Sequence, residues 1–360
     1  MSLLTRYILT TFIHVFFLVL GSLVGLFTIG DFVENIDKFV DAGATIELVA
    51  IYYYYNIPYF IDTAIPMSML LGTVFSLGML NRHYEIAALR ASGVSLWRMT
   101  RGLIALGLCI VFFQFWFQNL VVMPFNHANK TIMREQLKPR RSPQKIREVV
   151  RQDPSGWIIL MNVFDTKMNY GYDVALLSIA NENLTRRYDI PKLSWIDSTK
   201  QWSAVAGTFR EFNSEGNISF SQLSEIGLPL LSITPADIAK EQVRPDEMNI
   251  FQLTEFIKKK QVLGLNPHRW IVDFHFKIAF VFSGFITLLL GISFAIGGSR
   301  ENLASAVGKS IVVLFVYYIL IIGGQKVGHS SSMHPAISVW FGNVFFLLLG
   351  SILFFKTSKE

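Results

Sequence analysis

The chain has 360 residues, of which 52% are hydrophobic and 16% charged, with a formal net charge of +6 and a mean hydropathy of +0.42. An ordinary soluble domain carries about 25% charged residues; here long stretches carry almost none, which excludes an all-soluble chain. The positive excess sits largely in short turns between apolar runs, as at a membrane face rather than a nucleic-acid surface, and the single cysteine, Cys109, excludes an intramolecular disulfide and a thiolate metal cluster.

A membrane-spanning helix needs roughly 20 mostly apolar residues. The first such run is 7–29. At roughly 23 residues it exceeds a signal-peptide core, and Gly30-Asp31-Phe32-Val33-Glu34 after it is no small-x-small cleavage site, so an uncleaved span is predicted. The second run, 50–80, is too long to stand upright. Pro58, Asp62 and Pro66 inside it predict a kinked helix with a tilted outer half. Two roles are open for Asp62: facing a polar cavity, or satisfying backbone groups freed by the kink. Next, Glu85–Ala91 predicts a short helix stopped by Gly93. Ile86, Leu89 and Arg90 share one of its faces, which is either a solvated turn or a docking face for a partner. The third span is 103–123, with Cys109 as a small apolar residue inside it.

From Phe125 to Asn266 the composition changes. Gly156-Trp157-Ile158-Ile159-Leu160-Met161 and Asp173-Val174-Ala175-Leu176-Leu177-Ser178-Ile179 are short runs rich in strand formers. More follow between Trp195 and Phe220, broken by the turn-rich Asp197-Ser198-Thr199-Lys200 and Asn213-Ser214-Glu215-Gly216-Asn217. Repeated short strands of this kind predict an antiparallel sandwich or jellyroll. Residues 251–262 then read as a helix, with Phe251, Phe256 and Ile257 on one face and Lys258, Lys259 and Lys260 at its end.

Three further spans close the chain, at 271–296, 303–322 and 335–355. Near the first, His268, Asp273 and His275 do not make a metal site, because residues two apart cannot share a helix face. Lys277 lies deeper in the same span, where it either lines a cavity or pairs structurally. Gly308-Lys309-Ser310 resembles the end of a phosphate-binding loop, but Leu303 stands where that loop needs glycine, and no strand precedes it. No ATP-hydrolysing motif, catalytic group, metal site or cofactor site is therefore assigned.

Lys and Arg favour the cytoplasmic side of short loops. With the N-terminus inside, the inner segments hold Arg6, Arg82, Arg90, Arg98, Arg101, Arg300, Lys309, Lys356 and Lys359. The first outer loop holds Asp31, Glu34, Asp37, Asp41 and Glu47 against Lys38 alone, and the last holds only Lys326. The expected fold is an α-helical membrane protein with six transmembrane helices and an extracytoplasmic β-jellyroll domain inserted between helices 3 and 4. Its expected parts are 1–124 with an inner helical segment at 81–97, the β domain at 125–248, and 249–360 with a connecting helix and the last three spans. No internal repeat is visible.

Several of these features together resemble a known family. Tyr84-Glu85-Ile86-Ala87-Ala88-Leu89-Arg90-Ala91-Ser92-Gly93 is similar to the coupling-helix segment of the LptF/LptG permeases. Arg6-Tyr7-Ile8, Phe32-Val33, Pro58, Pro66, Leu71-Gly72 and Leu77-Gly78-Met79-Leu80 extend the resemblance along the chain. Ile179-Ala180-Asn181-Glu182-Asn183 and Lys200-Gln201-Trp202 bring it closer to the LptG branch. The resemblance implies a non-enzymatic subunit of an ABC exporter that extracts lipopolysaccharide from the bacterial inner membrane. It implies as partners an LptB-like cytoplasmic ATPase dimer, a companion LptF-like permease and an LptC/LptA-like periplasmic jellyroll protein, and no nucleic acid. Glu85, Ile86, Leu89 and Arg90 would couple to the ATPase. Lys38, Phe32, Phe27, Tyr317 and Ile321 would contact the lipid, Lys38 through its phosphates. Trp157, Ile159 and Phe209 would line the jellyroll groove, or else belong to its ordinary core. Asp31 departs from the family, whose outer end is often basic here. The rival reading is a mechanical ABC membrane protein that drives an external partner without passing substrate; four spans would favour it, and six are predicted.

Overall fold

A computed structural model describes residues 3–137, 145–180, 183–212, 218–222, 228, 231–239, 247–262, 266–296, 303–330 and 333–359. Arg300, Asn181, Glu182 and the turn at 213–217 lie outside the described residues. The chain divides into two compact units, Met1–Leu137 with Pro245–Ile257 and Pro267–Glu360, and Lys138–Arg244 with Lys258–Asn266.

The helical unit contains six helices long and apolar enough to cross a membrane. They are α1 (Leu3–Asp41), α2 (Ile46–Arg82), α4 (Leu96–Phe117), α8 (His268–Ile296), α9 (Leu303–His329) and α10 (Pro335–Lys359). The short α3 (Glu85–Ala91) joins α2 to α4. A π turn, Gln118–Val122, carries α4 without a break into α5 (Met123–Ile132). The two smaller helices are α6 (Pro235–Ala239) in the other unit and α7 (Ile250–Val262).

Most spans run beyond their apolar cores. Helix α1 continues through Asp31, Glu34 and Asp37 to Asp41, so its acidic segment is helix rather than loop. Thr45 then caps α2, its hydroxyl accepting from the Leu48 amide at 3.3 Å. Both Pro58 and Pro66 lie within α2, which is one helix from end to end. Helices α2 and α8 are mostly buried, whereas α1 and α9 leave most of their length uncovered. Close approach uses small residues: a Cβ on Gly291 of α8 would meet the Leu70 carbonyl of α2 at 3.0 Å, and one on Gly324 of α9 would collide with the Ser338 carbonyl of α10.

The second unit is built on one antiparallel sheet, as the jellyroll expectation requires. Its strands are β1 (Lys145–Gln152), β2 (Ile158–Asp165), β3 (Tyr170–Ala180), β4 (Asn183–Ile196), β5 (Gln201–Ala204), β6 (Thr208–Phe212) and β7 (Ile218–Gln222). Their order is β1-β2-β3-β4-β6-β7, with β5 on the other half of β4. The register places Ile159 opposite Leu176, Leu176 opposite Tyr188 and Tyr188 opposite Phe209. Alternation along each strand therefore gathers these side chains on one face, where Leu231, Ile233 and Ile238 close over them. Each such burial contributes about 1.5–3 kcal/mol. Asp153 pins the closing segment: its Oδ1 accepts from the amides of Ser232 at 2.8 Å and Ile233 at 2.7 Å.

Candidate functional site

Three regions of the helical unit and one of the sheet carry most of the residues singled out above. The first is the acidic end of α1. Lys38 is exposed, and its Nζ donates to Asn35 Oδ1 at 2.5 Å. Asp31 accepts from the hydroxyls of Tyr52 and Tyr53, at 3.3 and 3.1 Å. The acid that departs from the family is thus a tether between α1 and α2, not a bare charge set against a phosphate. At 100° per residue, Phe27 and Lys38 fall within about 20° of one another, whereas Phe32 is turned away by about 120–140°. Phe32 instead meets the rings of Phe39 and Tyr53. Phe27 lies against Phe60 with ring centroids 6.2 Å apart.

Tyr317 and Ile321 lie elsewhere and face inward. Tyr317 is fully buried; its hydroxyl donates to Asn343 Oδ1 at 2.7 Å, and Asn343 Nδ2 donates to the Ala279 carbonyl at 2.8 Å. Ile321 shares the same packing, so these two hold α9 to its neighbours in place of the lipid contact expected of them. The exposed stripe of α9 is Ile311, Val312, Phe315, Ile319 and Ile322. Helix α1 bears a matching stripe through Leu18, Leu26, Ile29, Val33 and Val40.

The second region surrounds α3. Ile86 is buried among residues of α1, α2, α4, α8 and α10, with Leu89 partly buried beside it. Arg90 Nη2 donates to the Thr357 carbonyl of α10 at 2.8 Å. Ile86, Leu89 and Arg90 do share a face, but it is the one turned to the chain's own helices. The open side presents Tyr84, Ala87, Ala88 and Ala91. Glu85 sits at the border, within 3.4 Å of the Tyr7 hydroxyl. Tyr84 adopts a left-handed backbone, φ 60°, that lets the chain turn sharply from α2 into α3.

The third region lies inside the bundle, and only part of it was legible. Pro66 has no N–H, so the carbonyl four residues earlier, that of Asp62, loses its helical donor. Gln114 Nε2 supplies the replacement at 3.1 Å and also donates to Asp62 Oδ1 at 2.9 Å. Gln118 Nε2 donates to Asp62 Oδ2 at 3.3 Å. The freed group is Asp62's own carbonyl, and α4 satisfies it. Lys277 is buried too, its Nζ 3.1 Å from Met123 Sδ. Gln114 and Gln118, four apart in an otherwise apolar run, were the signal available in the sequence.

In the sheet, Trp157, Ile159 and Phe209 do meet on one face. Tyr188 bridges the first and last, with ring centroids 5.5 Å from Trp157 and 4.7 Å from Phe209. Burial pushes the Tyr188 phenol above its ordinary pKa, against the lowering influence of Arg186. Ile159 and Phe209 are buried, and Trp157 stands half-exposed at the margin.

Six apolar helices, a sheet domain set between the third and fourth in the chain, and a short helix packed between the second and third define a multi-pass membrane protein. Residues 6–356 match the family described as lipopolysaccharide export system permease LptF/LptG, and the chain belongs to that family. It is similar to the lipopolysaccharide export system permease protein LptG of Haemophilus influenzae, with 24% identity over 98% of this chain and 95% of the relative.

Proposed function

We propose that the chain is one half of an ABC exporter that draws lipopolysaccharide out of the inner membrane. The observation that carries this reading, alongside the family, is the pair of uncovered apolar stripes on α1 and α9. From Leu18 to Val33 on α1, and from Ile311 to Ile322 on α9, no charge interrupts the stripe, which suits acyl chains and would serve a small polar solute poorly. A companion LptF-like permease set against them would enclose a cavity open to the bilayer. Phe32 would contact acyl chains there, joined by Phe315 and Ile319 of α9; Phe27 and Lys38 share another face of α1, from which Lys38 would attract phosphate.

An LptB-like ATPase dimer docks on the open side of α3, at Tyr84, Ala87 and Ala88, with Glu85 at its rim. The Arg82-bearing end of the bundle is then cytoplasmic and the β domain periplasmic. Strands β1 and β7 are the ends of the main strand path. One of them pairs with an LptC/LptA-like jellyroll by strand addition, and the lipid route passes the margin of the sheet where Trp157 stands half-exposed, with Ile159 and Phe209 packed behind it.

Photo-crosslinkers at Phe32, Phe315 and Tyr317 test this reading in membranes that contain the whole exporter. Phe32 and Phe315 should capture lipopolysaccharide, with yields that change on ATP addition, and Tyr317 should not. Capture at none of the three, or equal capture at all three regardless of ATP, defeats the reading.

A further inference from the structure

Two spans, α8 and α10, run beside the α2–α3 segment, and each has a backbone carbonyl bonded from that segment. Asn81 Nδ2, in the last turn of α2, donates to the Ala295 carbonyl of α8 at 3.2 Å. Arg90 Nη2, in the last turn of α3, donates to the Thr357 carbonyl of α10 at 2.8 Å. Ala295 is the next-to-last residue of α8, and Thr357 lies in the final turn of α10. Around these bonds the packing is continuous: Ile86 of α3 shares one buried cluster with Ala295 and Ile296 of α8 and Phe354 of α10. Trp97 of α4 meets Phe354 edge to face, with centroids 6.4 Å apart.

We propose that Arg90 and Asn81 are positioning residues that tie α10 and α8 to the α2–α3 segment, so that α3 and these parts of the two spans move as one body. This rests on the reading of α3 as the ATPase docking helix, and it changes the part Arg90 plays there. A guanidinium that faces the ATPase would add affinity for it. One spent on the Thr357 carbonyl instead adds stiffness between the docked helix and α10. A charged donor makes the stronger bond to a carbonyl; Asn81 offers only a neutral amide to α8, so its tie is the weaker of the two.

The test uses the whole exporter in vesicles, with the Cys109→Ser chain carrying spin labels at Ser92→Cys and Lys356→Cys. The label distance should stay the same when ATP and vanadate are added. Arg90→Ala should still co-purify with the ATPase and hydrolyse ATP within about twofold of the parent. Lipopolysaccharide released per ATP should fall about fivefold or more, the scale of a lost coupling between sites, and the label distances should broaden. Arg90→Lys keeps a charged donor and should recover at least half of the loss, while Asn81→Ala should give a smaller deficit in the same direction. Arg90→Ala that loses the ATPase shows that Arg90 is a docking contact and overturns the proposal. So does unchanged release per ATP. If Arg90→Ala fails to fold, the labels in the unsubstituted background still decide, because a distance that shifts with nucleotide refutes a rigid body. Failure of the exporter reading itself would show separately, as a parent chain that binds no ATPase.

Discussion

Neighbouring glycines on α9 should respond to the same substitution with opposite signs. A Cβ at Gly324 would run into the Ser338 backbone carbonyl of α10, and backbone cannot swing aside as a side-chain tip can. Four residues on, a Cβ at Gly328 would come within 2.5 Å of Ser338 Oγ and 2.9 Å of Val272, so the same seam is tight along a full turn. Gly324→Ala must therefore push α9 and α10 apart. Overpacking of this kind costs about 1–3 kcal/mol. At about 2–4 °C per kcal/mol for a unit of this size, the melting midpoint should fall by about 2–12 °C. Gly323 has nothing within 4 Å of its Cβ position. There Gly323→Ala gains only helix propensity, up to about 1 kcal/mol. Heating the detergent-solubilised protein and following the folded fraction by fluorescence-detected size exclusion separates the two variants. Equal midpoints for Gly323→Ala and Gly324→Ala would refute the close α9–α10 contact.

Gln114→Ala strips a donor from both the Asp62 carboxylate and its carbonyl, and should destabilise by about 2–4 kcal/mol on the scale of bonds to buried charged groups. Adding Pro66→Ala returns a backbone N–H to that carbonyl and should recover part of the loss; a double variant no more stable than Gln114→Ala would contradict the account of Asp62. For topology, Cys109→Ser chains carrying Lys200→Cys should be labelled by an impermeant thiol reagent from outside intact cells, and those carrying Lys359→Cys only after permeabilisation. Labelling of both from one side would sink the proposed orientation.

The spans were legible because uninterrupted apolar runs of that length have few other uses. Their ends were not, because helices continue through charged residues once past the bilayer, as α1 does through Asp31, Glu34 and Asp37. The strands were legible from short runs of strand formers and the turn chemistry between them. The direction in which α9 faces was not: when every side of a helix is apolar, no periodicity tells Tyr317, which is buried, from Phe315, which is exposed. The shared face of Ile86, Leu89 and Arg90 followed from spacing, but spacing cannot say which side of a short helix meets its own chain. Asp62 shows a missed inference: a proline inside a helix frees a carbonyl four residues back, and the sequence already contained two glutamines in the neighbouring span to meet it.

The π turn at Gln118–Val122 holds one residue more than an α turn would need for the same advance along the axis. The surplus residue rotates everything after it by about 100° relative to an uninterrupted α-helix. Gln114 and Gln118 can therefore point at Asp62 while the chain just beyond turns other amides elsewhere: Asn119 Oδ1 accepts from the Ile250 amide at 2.8 Å, and Asn129 Nδ2 donates to the Tyr52 carbonyl at 2.9 Å. The same surplus makes this turn a place where the gene can change length by one codon at low structural cost. Loss of one residue there converts a π turn to an α turn and leaves the apolar face of α4 before it untouched. An identical loss in the middle of α4 would instead swing half the span's side chains off their partners.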